Sequence, residues 1–166
     1  MGVVSDLVYD ISVWFQELPS FPVVFVLLTV LGLPTTVIHE VGHGLVARRL
    51  TRGTVDIDIH ISGLDWSGVC RVGGHSDTRM GDILLIIAAG PLASLAQGAA
   101  ATWLAAMAEP GTPVHAVLAC FALAGYLAGV LNFVPLIVGT HRSDGQLIVD
   151  VVKCMRGGRA ADWLVP

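Results

Sequence analysis

Two histidines four residues apart, with a glutamate directly after the first, mark one short stretch of this 166-residue sequence: His39-Glu40-Val41-Gly42-His43. On a helix, residues four apart share a face. Two imidazoles so placed can hold one zinc ion, and the neighbouring carboxylate can reach a water activated there. The stretch lies inside an apolar segment, where ionisable groups are costly and usually functional. The alternative for these residues is buried polar packing.

The elements that must position this trio follow from hydropathy. Apolar residues make up 54% of the chain and charged residues 13%, against about 25% charged in a typical soluble domain. The composition suits a membrane protein. Nucleic-acid binding has no support, because the net charge is -4 and no basic helix is present. Cys70, Cys120 and Cys154 are scattered and form no disulfide framework. No basic stretch precedes the first apolar run, so a cleaved secretory signal is not expected.

Residues 21–38 carry no charged side chain, and helical character should continue through the histidines, giving a first span over 21–50. Pro34 should bend it. Residues 83–108 and 114–139 are two further spanning runs, with His115 the one residue in them that could carry a charge near neutral pH. Gly90, Ser94, Gly98 and Thr102 fall four apart, and Gly125 and Gly129 repeat the spacing, which permits close helix approach in a membrane. Pro135 should break or bend the end of the third run.

Between the first two spans the pattern changes. Val55, Ile57 and Ile59 alternate with Asp56, Asp58 and His60, a strand signal. Residues 70–72 could pair with it across a loop at 63–68, making a β-hairpin region over 53–74. Residues 1–20 form either an interfacial amphipathic segment anchored by Trp14 or the frayed start of the first span. Residues 143–154 read as a short helix that Ser143 can cap.

All nine Arg and Lys fall in residues 48–79 or 142–159. Three spans put both regions on one side, so the positive-inside rule expects the N-terminus outside and the C-terminus in the cytoplasm. The expected fold is an all-α polytopic membrane protein: a three-transmembrane-helix core with a small β-hairpin between the first and second spans, residues 1–166 acting as a single membrane-embedded domain.

Three segments carry a resemblance that covers roughly Leu33 to Leu147. They are Ile38–Leu45 with its HExGH form, Ala88-Ala89-Gly90-Pro91-Leu92, and Leu131-Asn132-Phe133-Val134-Pro135 followed by Asp144-Gly145. Together they resemble the site-2 protease family, the intramembrane zinc metalloproteases, in a minimal core form without PDZ-like insertion or CBS-like extension. The resemblance implies a zinc-dependent endopeptidase that cuts membrane-embedded or membrane-proximal proteins in a lipid bilayer, here expected to be a prokaryotic cell membrane. It implies Zn2+ held by His39, His43 and Asp144, Glu40 as the catalytic base, and Asn132 positioning substrate or steadying the developing oxyanion. Zinc independently needs a third protein ligand and an open fourth position.

The chain departs from the family pattern in one place. Eight residues, 136–143, separate Pro135 from Asp144, where about four are usual, so Asp144 is expected on a loop-fed position, with Asp150 as the reserve ligand. For Asp144 the non-ligand readings are a helix cap or a pair with Arg142. For Asn132 it is a hydrogen bond to a backbone carbonyl near Pro135. The strand before Ile61 could bind an unwound peptide by edge addition or be a plain connection. The other histidines, among them His60, His75, His115 and His141, form no recognised second site. Two other functions stay open: a catalytically inactive membrane interaction module of the same fold, and a membrane metallohydrolase with a non-peptide substrate. A homo-oligomer or an accessory subunit is compatible with the sequence.

Overall fold

The computed structural model describes residues 20–51, 54–62, 65–72, 79–139 and 141–157. In chain order these form α1 (Phe21–Leu50), β1 (Val55–Ser62), β2 (Asp65–Val72), α2 (Met80–Met107), α3 (Pro113–Phe133), β3 (Ile137–Val138), β4 (His141–Arg142) and α4 (Asp144–Gly157). The expected N-terminal segment lies outside the described residues. Helices α1, α2 and α3 are each long and apolar enough to cross a membrane. The expected class, three apolar helices with a hairpin between the first two, is the class observed.

Small residues bring the three helices together. A side chain at Gly42 would overlap Ala93 and the Ala89 carbonyl on α2, and one at Gly125 would overlap the backbone of Ser94 and Gly98. Without a hydrophobic drive between helices in lipid, such close backbone contact supplies the attraction. The buried stripe of α2 includes Gly90, Ser94 and Gly98, while Thr102 is exposed and bonds the Tyr126 hydroxyl at 3.1 Å. Outer faces carry the large apolar groups: Phe21 is 81% exposed, Trp103 62% and Met107 69%.

Helix α1 divides along its length. Pro34 does not end it, and its buried residues all follow that proline: Thr35, His39, Glu40, Gly42, His43, Gly44 and Ala47. Their spacing near four marks one helix face, turned onto α2 and the first hairpin.

That hairpin is longer than expected. β2 begins at Asp65 and pairs antiparallel with β1 from Val55↔Val72 to Ser62↔Asp65. Residues 65–68, expected within the loop, are strand. Gly68 suggested a turn, but its missing side chain serves the contact with α1 instead. Val55 and Ile57 reach α1 at Gly44, and on the exposed side Asp58 pairs with Arg71.

The third span also differs, ending at Phe133 rather than 139. Val134 precedes Pro135 and is extended, at φ -72° and ψ 127°, as the proline ring requires of its predecessor. A two-stranded finger, β3 with β4, follows before α4 begins.

Candidate metal centre

His39 and His43 lie one turn apart on the buried face of α1, each 7% exposed. Helix α2 receives both rings. His43 Nδ1 stands 2.7 Å from the Ile86 carbonyl oxygen, and His39 Nδ1 stands 3.0 Å from Ser94 Oγ. A carbonyl can only accept, so His43 Nδ1 donates its hydrogen and Nε2 is left with a lone pair. Between these two contacts sits Gly90. Any side chain there would overlap both imidazoles, so this glycine makes the space the rings occupy.

Asp144 arrives from 105 residues away. Its Oδ2 is 2.9 Å from His39 Nε2 and 3.5 Å from His43 Nε2, and the two Nε2 atoms are 3.2 Å apart. A tetrahedral zinc with ligands at about 2.0–2.2 Å has ligand-to-ligand edges of about 3.3–3.5 Å. The three donor atoms come close to one face of such a tetrahedron, the His39–Asp144 edge being the shortest and needing to open slightly. Three electron-pair donors in mutual contact repel one another unless a cation or protons lie among them, and the donor set of two imidazoles and a carboxylate suits zinc. Burial acts to raise the Asp144 carboxyl, but when protons rather than a cation lie among the donors, hydrogen bonds from the protonated His39 and His43 rings outweigh it and hold it below the usual carboxylate range.

The finger explains how a spacing of eight residues leaves Asp144 in reach. Leu136 and Ser143 close its base: Ser143 N–H donates to the Leu136 carbonyl at 3.0 Å, and Leu136 N–H donates to Ser143 Oγ at 2.9 Å. The insertion loops out and returns to where it left. Ser143 Oγ also donates to the Val134 carbonyl at 2.7 Å and accepts from Gln146 N–H at 3.2 Å, capping α4. Gly145 then packs on the end of α3, where a side chain would run into the Phe133 backbone.

Glu40, also 7% exposed, faces β2. Its carboxylate lies against the Cys70 backbone, and a side chain at Gly68 would overlap it. A cleft of about 290 Å³ opens here, with Glu40, His43 and Asp144 on one wall, residues 68–70 of β2 on another, and His141 and Arg142 of the finger at its rim. The Cys70 thiol lines it too, pushed up to about 11 by burial and then by Glu40 and Asp56, so it stays neutral.

Other expected residues fall elsewhere. Asn132 donates from Nδ2 to the Ala128 carbonyl at 2.9 Å, one turn back on its own helix, and does not line the cleft. Asp150 is engaged by Arg142 at 3.1 Å and Gln146 at 2.9 Å. Among the described residues the one cluster able to hold a metal is His39, His43 and Asp144. His115 is buried at the α2–α3 junction, 3.1 Å from the Ala105 carbonyl, and His60 is exposed. His75 lies outside the described residues. Sequence reasoning missed the role of Ser94, whose four-residue spacing from Gly90 reads as packing alone.

The sequence matches the family described as Peptidase M50B-like over residues 11–153. The chain belongs to that family. For this M50B-like chain no curated protein gives a match. Its structure is similar to that of the Site-2 Protease from Methanocaldococcus jannaschii, with a TM-score of 0.58 and 23% identity. The likeness, one of fold at that identity, covers 92% of the M50B-like chain and 64% of the other, so the chain spans under two thirds of that protein's length.

Proposed function

We propose that this M50B-like protein is a zinc-dependent intramembrane endopeptidase acting on membrane-embedded or membrane-proximal proteins. The observation that carries the reading is the convergence of Asp144 Oδ2 on His39 Nε2 and His43 Nε2, which lie with Glu40 on a helix apolar enough to span a bilayer. A zinc ion held by these three residues supplies Lewis acidity, which eases ionisation of water and polarises a peptide carbonyl.

The chain's own groups do the rest. Glu40 adjoins His39 without joining the donor cluster, so its carboxylate is free to take a proton from water and return it to the leaving nitrogen. Substrate must unwind to expose a carbonyl. The cleft beside β2 offers strand backbone where an unwound segment could be held. Asn132 could steady substrate there only after releasing the Ala128 carbonyl. Every group of the centre comes from one chain, so the reading requires no second subunit. The complete donor set and base argue against an inactive interaction module.

In the same reading the protein sits in a prokaryotic cell membrane, with the N-terminus outside and the C-terminus in the cytoplasm because all nine Arg and Lys fall in residues 48–79 or 142–159, which three spans put on one side. The centre then lies near the cytoplasmic edge, two turns before Arg48. Single cysteines at positions 5 and 160 should label from opposite sides in intact cells; labelling from one side would sink this orientation.

The test of function is cleavage of a single-span reporter by wild type and Glu40→Gln, each assayed for bound zinc. Glutamine is nearly isosteric but cannot accept the proton. The variant should keep its zinc and lose about 10²–10⁴ in rate, the usual contribution of a positioned base. Undiminished cleavage by zinc-loaded Glu40→Gln would end the mechanism.

A further inference from the structure

We propose that Ser94 is a positioning residue for His39, a hydrogen-bond partner on α2 that holds that ring with Nε2 facing the metal. The proposal rests on the reading of His39 as a ligand and goes beyond it.

The case begins with register. Ile86, Gly90 and Ser94 are successive positions four apart, one stripe of α2. They face His43 and His39, which are four apart on α1. The Ile86 carbonyl takes His43 Nδ1, Gly90 leaves room for both rings, and Ser94 Oγ meets His39 Nδ1. One face of α2 thus serves as a template for two imidazoles. On His43 the acceptor is backbone and survives any side-chain change. On His39 the acceptor is a side chain, so only that half of the template depends on residue identity.

Packing alone does not call for a serine here. The contact with α3 at this level is made by backbone, since the Ser94 carbonyl lies where a side chain at Gly125 would fall. Glycine or alanine fills comparable positions of the same stripe, at Gly98 and Ala101. Ser94 is fully buried, and a buried hydroxyl is costly unless it is hydrogen-bonded. His39 Nδ1 at 3.0 Å supplies that bond. A hydroxyl can donate or accept, so a lone pair engaged on Nε2, the atom that sits with Asp144 and His43, puts the hydrogen on Nδ1 and makes Ser94 Oγ its acceptor. Outer partners of this kind orient ligating imidazoles and raise their basicity, and their loss typically costs about 10–100-fold in metal affinity.

The test is zinc affinity of the purified full chain, measured by competition with a chromophoric chelator, for wild type, Ser94→Ala and Ser94→Thr. Ser94→Ala should bind zinc about 10–100-fold more weakly, with helix content and thermal midpoint of the metal-free protein unchanged. Ser94→Thr keeps the hydroxyl and should recover most of the affinity. A second readout is the visible spectrum of the cobalt-substituted protein, which should change in Ser94→Ala because the ring is no longer held; a packing role would leave it as in wild type. Zinc affinity of Ser94→Ala within about twofold of wild type, with an unaltered cobalt spectrum, would overturn the proposal alone. A wild-type protein that binds no zinc would overturn the metal reading and this proposal together.

Discussion

The three donor atoms come from two unlike places. His39 and His43 sit mid-helix, one turn apart, each with its second nitrogen engaged by α2. Asp144 opens a short amphipathic helix after a finger whose apolar residues Ile137 and Val138 are 61% and 72% exposed. The histidine pair is set by helical repeat, which no distant residue can alter without breaking the helix. Asp144 is set by three backbone-level contacts: the Leu136–Ser143 closure, the Ser143 cap and the seat of Gly145 on Phe133. One half of the centre is stiff because it is local. The other is only as well placed as the packing between the ends of α3 and α4.

The largest test of this contrast removes the helical half. His39→Ala or His43→Ala should abolish stoichiometric zinc by elemental analysis, and unchanged content in both would break the assignment. Asp144→Ala comes next: two imidazoles remain, so binding should weaken by more than the roughly 10–100-fold that loss of an outer partner costs, without any change in helix content. Gly145→Ala probes position rather than chemistry. The added methyl meets backbone that cannot step aside, so thermal unfolding should report about 1–3 kcal/mol of destabilisation, typical of overpacking, together with weaker zinc binding; a variant with wild-type stability and affinity would show that this seat does not place Asp144. The smallest effect is expected from the finger. Deleting residues 137–142 and joining Leu136 to Ser143 should leave zinc affinity within a few-fold, because those two residues already meet at its base. Complete loss of zinc would mean that the finger itself holds Asp144.

Legibility in the sequence follows the same division. The three spans are long charge-free runs, and the histidine pair and β1 follow periods of 3.6 and 2; all of these signals are local. β2 was legible at 70–72 alone, because Gly68 signals a turn when read by itself and an absent side chain when Glu40 is beside it. The third span was drawn to 139 because Leu136, Ile137 and Val138 are apolar, although Pro135 already marks the break.

The sequence by itself determined that two imidazoles and a carboxylate share one turn of an apolar helix, since 3.6 residues per turn leaves no other arrangement. For the third donor, the resemblance to the site-2 protease family implied Asp144, with Asp150 in reserve. Tertiary structure alone decided between those two. Arg142 and Gln146 engage Asp150, while the closed base of the finger delivers Asp144 to within 2.9 Å of His39. The same holds for Ser94, whose hydroxyl reads as one small residue among many until α1 brings a histidine opposite it. Both outcomes depend on which helix ends and faces meet across 55 to 105 residues of chain. No local repeat encodes such a meeting, because it is fixed by close packing of backbones at Gly42, Gly125 and Gly145.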